Sequence, residues 1–436
     1  MRNLVLTLSA ALFLQTHAQE VWTVWQCMDY AVENNHNVRI ASLSLDNYEA
    51  DRLGAVGSFL PSVGAGIGGQ FNFGRAIDPQ TNAYTDVSTF NNSYNLSASL
   101  PLFDGFARIH ALNAAKADLL CGKSRLQQQR DQTALATFQA FVNVLYYKGT
   151  VLLAERKLAE SEDMLELTRM MEEVGRKSRA DVALVESQYA ADDYSLTQQR
   201  NTLALALLEL KKEMNYPLAD TLQIEDEADG LFRSVGGDGV TDCGAGAVAD
   251  NPEVRQSYHA MVSARHNLRL SRSSLFPTVT VSAGIGTNYN KVLHMDDAMS
   301  FREQFKNNRG EYVGVSVNIP LFSRLSIATN IRKARNNYRI ACEAYEQKNA
   351  ELQKLLAEAV LDFQGGLQEC VQLEKKVESD SIAYELTRSQ YDEGIATALD
   401  LQTASSTLLG SRVSLLRTRL TTVMKEQQIR YYTNNK

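Results

Sequence analysis

The sequence predicts a mostly α-helical fold that also carries strands of a membrane β-barrel, built from a duplicated helix–strand–strand–long helix–turn–helix unit. Three observations predict it. Short motifs recur in the same order at a nearly constant offset, and four stretches alternate apolar and polar residues with a period of two. Two stretches of about 70 residues contain no proline and repeat apolar residues at helical spacing.

Recurrence fixes the organisation. Asn35-His36-Asn37-Val38-Arg39 returns as Asn251-Pro252-Glu253-Val254-Arg255, and at the same offset Cys27 aligns with Cys243. Phe59-Leu60-Pro61-Ser62-Val63 returns as Leu275-Phe276-Pro277-Thr278-Val279. Ala65-Gly66-Ile67-Gly68 is repeated as Ala283-Gly284-Ile285-Gly286, and Leu100-Pro101-Leu102-Phe103 returns as Ile319-Pro320-Leu321-Phe322. Glu166-Leu167-Thr168-Arg169, then Gly175 and Asp181, matches Glu385-Leu386-Thr387-Arg388, then Gly394 and Asp400, with five residues in each gap. Five ordered matches at offsets of 216 to 219 indicate duplication. The first copy takes residues 19–216 and the second 247–436; the linker 217–246 holds Gly236-Gly237-Asp238-Gly239 and breaks helical periodicity.

The strands follow from alternation. Val63, Ala65, Ile67, Phe71 and Phe73 alternate with small or polar residues, as do Tyr94, Leu96, Ala98 and Leu100 with Asn95, Ser97 and Ser99. Val279, Val281, Ala283 and Ile285 repeat the pattern, and so do Val313, Val315, Val317 and Ile319. The expected strands cover about 62–74, 93–101, 278–290 and 310–320, long enough for tilted strands to cross a bilayer. Polar loops near Arg75 to Asn92 and Lys291 to Arg309 join each pair.

Beyond Pro101 and Pro320 the period becomes helical, with Leu135, Phe138, Val142 and Leu145 as examples. Long helical hairpins are expected over about 103–215 and 323–430. Gly175 and Gly394 suit the left-handed position that ends a helix. Ser178-Arg179-Ala180-Asp181 and Thr397-Ala398-Leu399-Asp400 are capping-box spellings that start the next one.

Composition narrows the class. Residues 1–18 read as a secretory signal peptide: Met1-Arg2-Asn3, an apolar run from Leu4 to Leu14, and small residues before Gln19. The net charge of -7, without a basic stripe, argues against nucleic acid as a partner. No long apolar run follows the signal, which leaves membrane strands but no membrane helix. Five scattered cysteines make neither a disulfide framework nor a zinc site. Cys27 and Cys243 are either packed thiols or a pair joined across the copies. His294-Met295-Asp296-Asp297 reads as a solvated loop, with metal contact as the sharper alternative. Trp22 and Trp25 read as the packed start of the first helix, with a surface anchor as the sharper alternative.

Gly64 to Gly69 also satisfies the G-x-G-x-x-G spelling of a dinucleotide loop. That reading needs a helix to open directly after the glycines, whereas here they lie inside a strand pattern. The second copy, with Asn288 and Tyr289 beyond its Gly286, breaks the spelling. The glycines therefore read as small residues on one face of a strand, and no cofactor is expected. No G-x-S-x-G, H-E-x-x-H or P-loop spelling occurs, so no enzyme and no metal site is expected.

Four amphipathic strands cannot close a barrel, and open edges in lipid cost several kcal/mol per unsatisfied group. Strands that span a membrane would therefore be shared among chains, with Asn95, Ser97, Ser99, Ser282 and Asn318 facing water in the lumen. On the Phe-Leu-Pro and Leu-Phe-Pro strand entries, the Pro-Leu-Phe exits and the twin R-x5-G-x5-D tips, the chain resembles the TolC-type outer-membrane efflux family. The likeness runs from about Val24 to Arg430.

The resemblance implies a homotrimer in the outer membrane of a Gram-negative bacterium, mostly periplasmic, with a 12-stranded barrel and a 12-helix periplasmic tunnel. It implies an exit duct for substrates delivered by an inner-membrane pump and a periplasmic adaptor. It places adaptor docking at the tips, on Arg169, Gly175, Ser178, Asp181, Arg388, Gly394, Thr397 and Asp400. It also makes Tyr391 and Asp400 candidates for the pore constriction, although Thr403 and Ala396 stand where the family pattern has an aspartate and an arginine. For the two tip aspartates a solvated helix cap is the plain alternative. For the whole chain the alternative is an exported coiled-coil or adhesin-like rod, which has no use for four proline-bounded alternating strands.

Overall fold

In the computed structural model the described residues are 21–77, 82–86, 88–226, 228–233, 248–293 and 299–433. The expected signal peptide, Cys243, the Gly236–Gly239 run and the His294–Asp297 loop lie outside them. The chain order is β1 (Val21–Trp22), α1 (Val24–Asn34), α2 (His36–Gly57), β2 (Ser62–Asn72), β3 (Arg75–Ile77), β4 (Tyr84–Asp86), β5 (Thr89–Phe103), α3 (Ala107–Glu173) and α4 (Arg179–Met214). It continues with β6 (Gln223–Ile224), α5 (Ala228–Arg233), α6 (Pro252–Ser273), β7 (Thr278–Val292), α7 (Phe301–Asn307), β8 (Gly310–Asn318), α8 (Ser326–Asp392) and α9 (Ala398–Thr433).

These elements form two compact units. One takes Met1–Ile40, Gln127–Asn251 and Ala350–Lys436; the other takes Ala41–Leu126 and Pro252–Asn349. In the first, Phe138, Phe141, Val142, Val144 and Leu145 of α3 form the centre of a core with Val24, Cys27 and Ala31 of α1. Leu210 and Met214 of α4 and Leu420 and Val423 of α9 complete it. Full burial of each large apolar side chain contributes about 1.5–3 kcal/mol. Burial pushes the Cys27 thiol up to about 12, and it is a free thiol.

The recurring asparagine has the same task twice. Asn35 Nδ2 donates to the Glu213 carbonyl at 2.9 Å, and Asn251 Nδ2 donates to the Tyr431 carbonyl at 3.2 Å. Each amide thus satisfies a carbonyl in the last turns of a returning helix, α4 or α9. Asn35 also accepts from the Asn37 N–H at 2.8 Å, a cap that lets α2 restart where α1 stops.

In the second unit the sheet runs β2-β5-β7-β8, with every neighbouring pair antiparallel. The corner after β5 is fixed by Arg108. Its Nε donates to Asp104 at 2.8 Å, an Nη reaches the Ser58 carbonyl at 3.4 Å, and the guanidinium lies over the Phe59 ring.

Three sequence expectations need correction. The two joining loops are not plain polar coil: β3 pairs with β4 in the first, and α7 lies in the second. The linker carries β6, which pairs in parallel with β1, and the short α5. Trp22 packs edge-on against Tyr30 and Tyr216, but Trp25 is 57 % exposed rather than packed.

Asn35→Ala is expected to cost about 1–2 kcal/mol, since it removes both a helix cap and a carbonyl's partner. Thermal unfolding followed by helical circular dichroism should show a lower midpoint than Asn37→Ala, whose side chain has neither role. Equal midpoints would contradict this account.

Candidate functional site

The sheet has two chemically distinct faces, and register sets them. Ala65, Leu96, Ile285 and Glu311 lie in one cross-strand row, and Val63, Ala98, Ala283 and Val313 lie in the next of the same face. Val281 with Val315 and Val279 with Val317 extend that face. Its side chains are open: Ile67 is 76 % and Val313 81 % exposed. The opposite face collects Asn95, Ser97 and Ser99 from β5, Ser282 from β7 and Asn318 from β8, opposite Thr278. All five lumen candidates therefore share one face.

Gly66 and Gly284 belong to the polar face and are needed there. A Cβ on Gly66 would stand 2.5 Å from the Asn95 amide oxygen, and one on Gly284 would stand 2.7 Å from the Tyr312 ring. Tyr312 thus lies against the polar face directly beside the lumen candidates. The sequence pattern did not single it out because Val313, Val315 and Val317 carry the alternation; its even position on β8 was the available signal.

The second region is formed by the helix tips in the other unit. Gly175 (φ +78°) and Gly394 (φ +83°) adopt the left-handed conformation, and matching bonds run from Arg176 N to Met171 O and from Ile395 N to Gln390 O, each 2.8 Å. Asp181 accepts from Ser178 N and Oγ at 2.9 and 2.8 Å, and Asp400 from Thr397 N and Oγ1 at 3.0 and 2.6 Å. The bonds from Ser178 hold the Asp181 carboxyl below its ordinary range, and those from Thr397 do the same for Asp400. Both aspartates are therefore helix caps in this structure.

The twin arginines differ. Arg169 pairs with Glu186 at 3.0 Å across its own hairpin. Arg388 instead lines a cavity of roughly 70 Å³ with Lys157, Glu160, Tyr384 and Gln402. Lys157 donates to Ser405 at 2.6 Å, and Gln402 donates to Gln188, so α3 and α4 are cross-linked to α9. Burial, with Glu160 next, raises the Tyr384 phenol.

Tyr391 links the two hairpins. It is 1 % exposed, packed among Leu165, Val182, Val185, Ala398 and Leu401. Its hydroxyl lies 2.8 Å from Thr168 Oγ1, which donates its own proton to the Met164 carbonyl at 2.7 Å, so the tyrosine is the donor. Lys177 Nζ stands 4.6 Å from the ring centre, a cation–π contact. Ala396 packs beside this cluster, while Thr403 bonds only within its helix, to the Leu399 carbonyl.

Among the described residues no helix is long and apolar enough to cross a membrane, and no group of three or more potential metal ligands occurs. A two-faced sheet with an exposed apolar side, on a chain of paired long helical hairpins, fits the class of outer-membrane channel proteins. The sequence profile described as outer membrane efflux protein matches residues 28–215 and 246–435, and the chain belongs to that family. It is 23 % identical over 410 residues to the toluene efflux pump outer membrane protein TtgF of Pseudomonas putida, covering 92 % of this chain and 80 % of that one. It is 22 % identical over 398 residues to the cation efflux system protein CusC of Escherichia coli O157:H7, covering 88 % and 80 %.

Among solved structures, CusC superposes with a TM-score of 0.82 at 17 % identity, covering 94 % of this chain and 91 % of that one. VceC of Vibrio cholerae superposes with a TM-score of 0.81 at 15 % identity, covering 94 % and 95 %. The chain is an outer-membrane protein with the role of an exit duct in efflux or secretion.

Two outcomes are expected. Both tip carboxylates sit below the ordinary range when folded, so their capping is present above that range and lost as pH falls through the depressed values. Amide exchange at 178–182 and 397–401, corrected for intrinsic rates, should accelerate on acidification, and Asp400→Asn should flatten the response at its own tip only; a pH-independent rate would refute this. Tyr391→Phe should cost about 1 kcal/mol and Tyr391→Ala about 3–5 kcal/mol in thermal unfolding, because only the second opens a cavity.

Proposed function

We propose that three copies of this chain close one barrel in the outer membrane, with the periplasmic helices forming a tunnel that passively conducts substrates outward. The observation that carries this reading is the sheet: its apolar face is exposed, and β2 and β8 are both edges without a strand partner among the described residues. The apolar face suits lipid, but neither open edge is tolerable there for a single copy. Strand directions alternate through the sheet, so β8 of one copy meets β2 of the next antiparallel. Four strands from each of three copies give a barrel of twelve strands, above the minimum of about eight.

In that assembly Asn95, Ser97, Ser99, Ser282 and Asn318 line the water-filled bore together with Tyr312. The twin tips, at Arg169, Gly175, Ser178 and Asp181 and at Arg388, Gly394, Thr397 and Asp400, receive a periplasmic adaptor that recruits an inner-membrane pump. Asp400 contributes a ring of exposed carboxylates at the periplasmic constriction. Tyr391 acts there from a buried position, by setting how closely the two hairpins of one copy approach.

A charge on each sheet face tests the reading. Val315→Lys places an ammonium in lipid, at a cost of about 2–4 kcal/mol near the bilayer midplane. It should abolish SDS-resistant oligomers in the outer-membrane fraction and raise sensitivity to exported compounds as far as deletion of the chain is expected to. Ser97→Lys should assemble normally and shift planar-bilayer conductance toward anions. Normal assembly of Val315→Lys, or recovery of the native chain as a soluble monomer after lysis, would overturn the barrel.

A further inference from the structure

The loop between β7 and β8 contains a device that channel formation does not require. β7 pairs with β8 only as far as Gly286, opposite Gly310, yet it continues to Val292 and leaves one edge of 287–292 without a strand. Helix α7 supplies the missing partners. The Thr287 hydroxyl donates to the Phe305 carbonyl at 2.8 Å, and Asn308 Nδ2 donates to the Asn288 carbonyl at 2.9 Å. Gln304 accepts from Asn290 N at 3.0 Å and donates to its carbonyl at 2.9 Å, so one side-chain amide reproduces a strand-to-strand pair. Gln304 is 7 % exposed, the single buried residue of a helix whose N-terminus is closed by a Ser300–Glu303 capping box.

Docking in this way lays two aromatic rings on the apolar face of the sheet. Phe305 lies 5.3 Å from Tyr94, and Phe301 lies 5.3 Å from Tyr289, centre to centre. Tyr289 continues to Phe90, and Phe90 to Phe71, so a belt of rings crosses β2, β5 and β7. Phe301 remains 47 % exposed and Phe305 43 %. The belt sits at the sheet end where β2 turns into β5 and β7 into β8, opposite the end that leads into the helices.

The charges beside it are mixed, with cations in excess: Glu303 lies on α7 and Glu311 pairs with Arg309. Arg302 and Lys306 stand four residues apart on α7, both exposed, and Lys291 lies on the aromatic face opposite Phe90. Among the described residues none of the three makes an ion pair, and the neighbouring Glu303 carboxylate is committed to the helix cap. Half-exposed rings with flanking cations at the rim of an apolar wall match the boundary between acyl chains and anionic headgroups.

We propose that α7 is an interfacial anchor seated in the phosphate-bearing headgroup zone of the outer leaflet, with Phe301 and Phe305 at the acyl boundary and Arg302, Lys306 and Lys291 on lipid phosphates. The inference rests on the apolar sheet face being the lipid-facing one. It fixes the depth at which the barrel sits, independently of transport.

Depth-resolved fluorescence quenching tests both layers separately. In a Trp22→Phe/Trp25→Phe background, Phe301→Trp, Val315→Trp and Ser97→Trp are each reconstituted into phosphatidylcholine vesicles brominated at shallow or deep acyl positions. The expected pattern is strongest quenching of Phe301→Trp by shallow bromines, of Val315→Trp by deep ones, and of Ser97→Trp by neither. Quenching of Val315→Trp with Phe301→Trp open to aqueous acrylamide would overturn the anchor and leave the barrel intact. Loss of quenching at Val315→Trp as well would overturn both. The detergent-solubilised protein should bind lipid A about fivefold more weakly for each of Arg302→Gln and Lys306→Gln, and normally for Lys333→Gln. Unchanged affinity in the first two would remove the phosphate contact.

Discussion

The structure depends on strand register. Opposite residues of an antiparallel pair share a face, so a one-residue slip of any strand would carry valines into the polar face and serines into the apolar one. Here the rows hold across all four strands, from Val63 through Ala98 and Ala283 to Val313. The other features of the sheet follow from it. Gly66 and Gly284 fall where an amide and a ring lie close against the strand, free edges fall on the outermost strands, and the overhang of β7 is covered by side chains of α7.

In the helical unit the same backbone solution carries different side-chain chemistry. Both hairpins turn through a left-handed glycine and restart on a capping aspartate, so their tips are geometrically alike. Their flanks are not. Arg169 is held by Glu186, while Arg388 faces a cavity with Tyr384 and Glu160. Lys177 from one tip lies on Tyr391 from the other hairpin. Equivalent positions thus became complementary rather than interchangeable, which is how a repeated unit makes an interface with itself.

Features with a long period or a fixed spelling were legible in the sequence. Alternation located strands at Val63–Phe71 and Val279–Ile285, and the glycine–aspartate spacing located both turns. Shorter features were hidden. Helix α7 spans less than two full turns, too few for helical periodicity to show, and its aromatic pair is only two residues. β3 and β4 are three residues each and depend on pairing with one another. Trp22 and Trp25 looked equivalent in sequence, but only Trp22 faces Tyr216, a residue nearly two hundred positions away. The link from Tyr391 to Thr168 is likewise a tertiary fact, since neither residue's neighbours distinguish it from an ordinary helical position.

The buried Cys27 has a kinetic consequence. With its pKa pushed up to about 12 by burial, the thiol stays overwhelmingly protonated at neutral pH, and it is the thiolate that attacks disulfides and peroxides. Once α1 has packed against α3, Cys27 is therefore nearly inert toward oxidants, even in a compartment that drives thiols to disulfides. Its vulnerable interval is the time before that core forms, when the thiol is still solvated and its pKa ordinary.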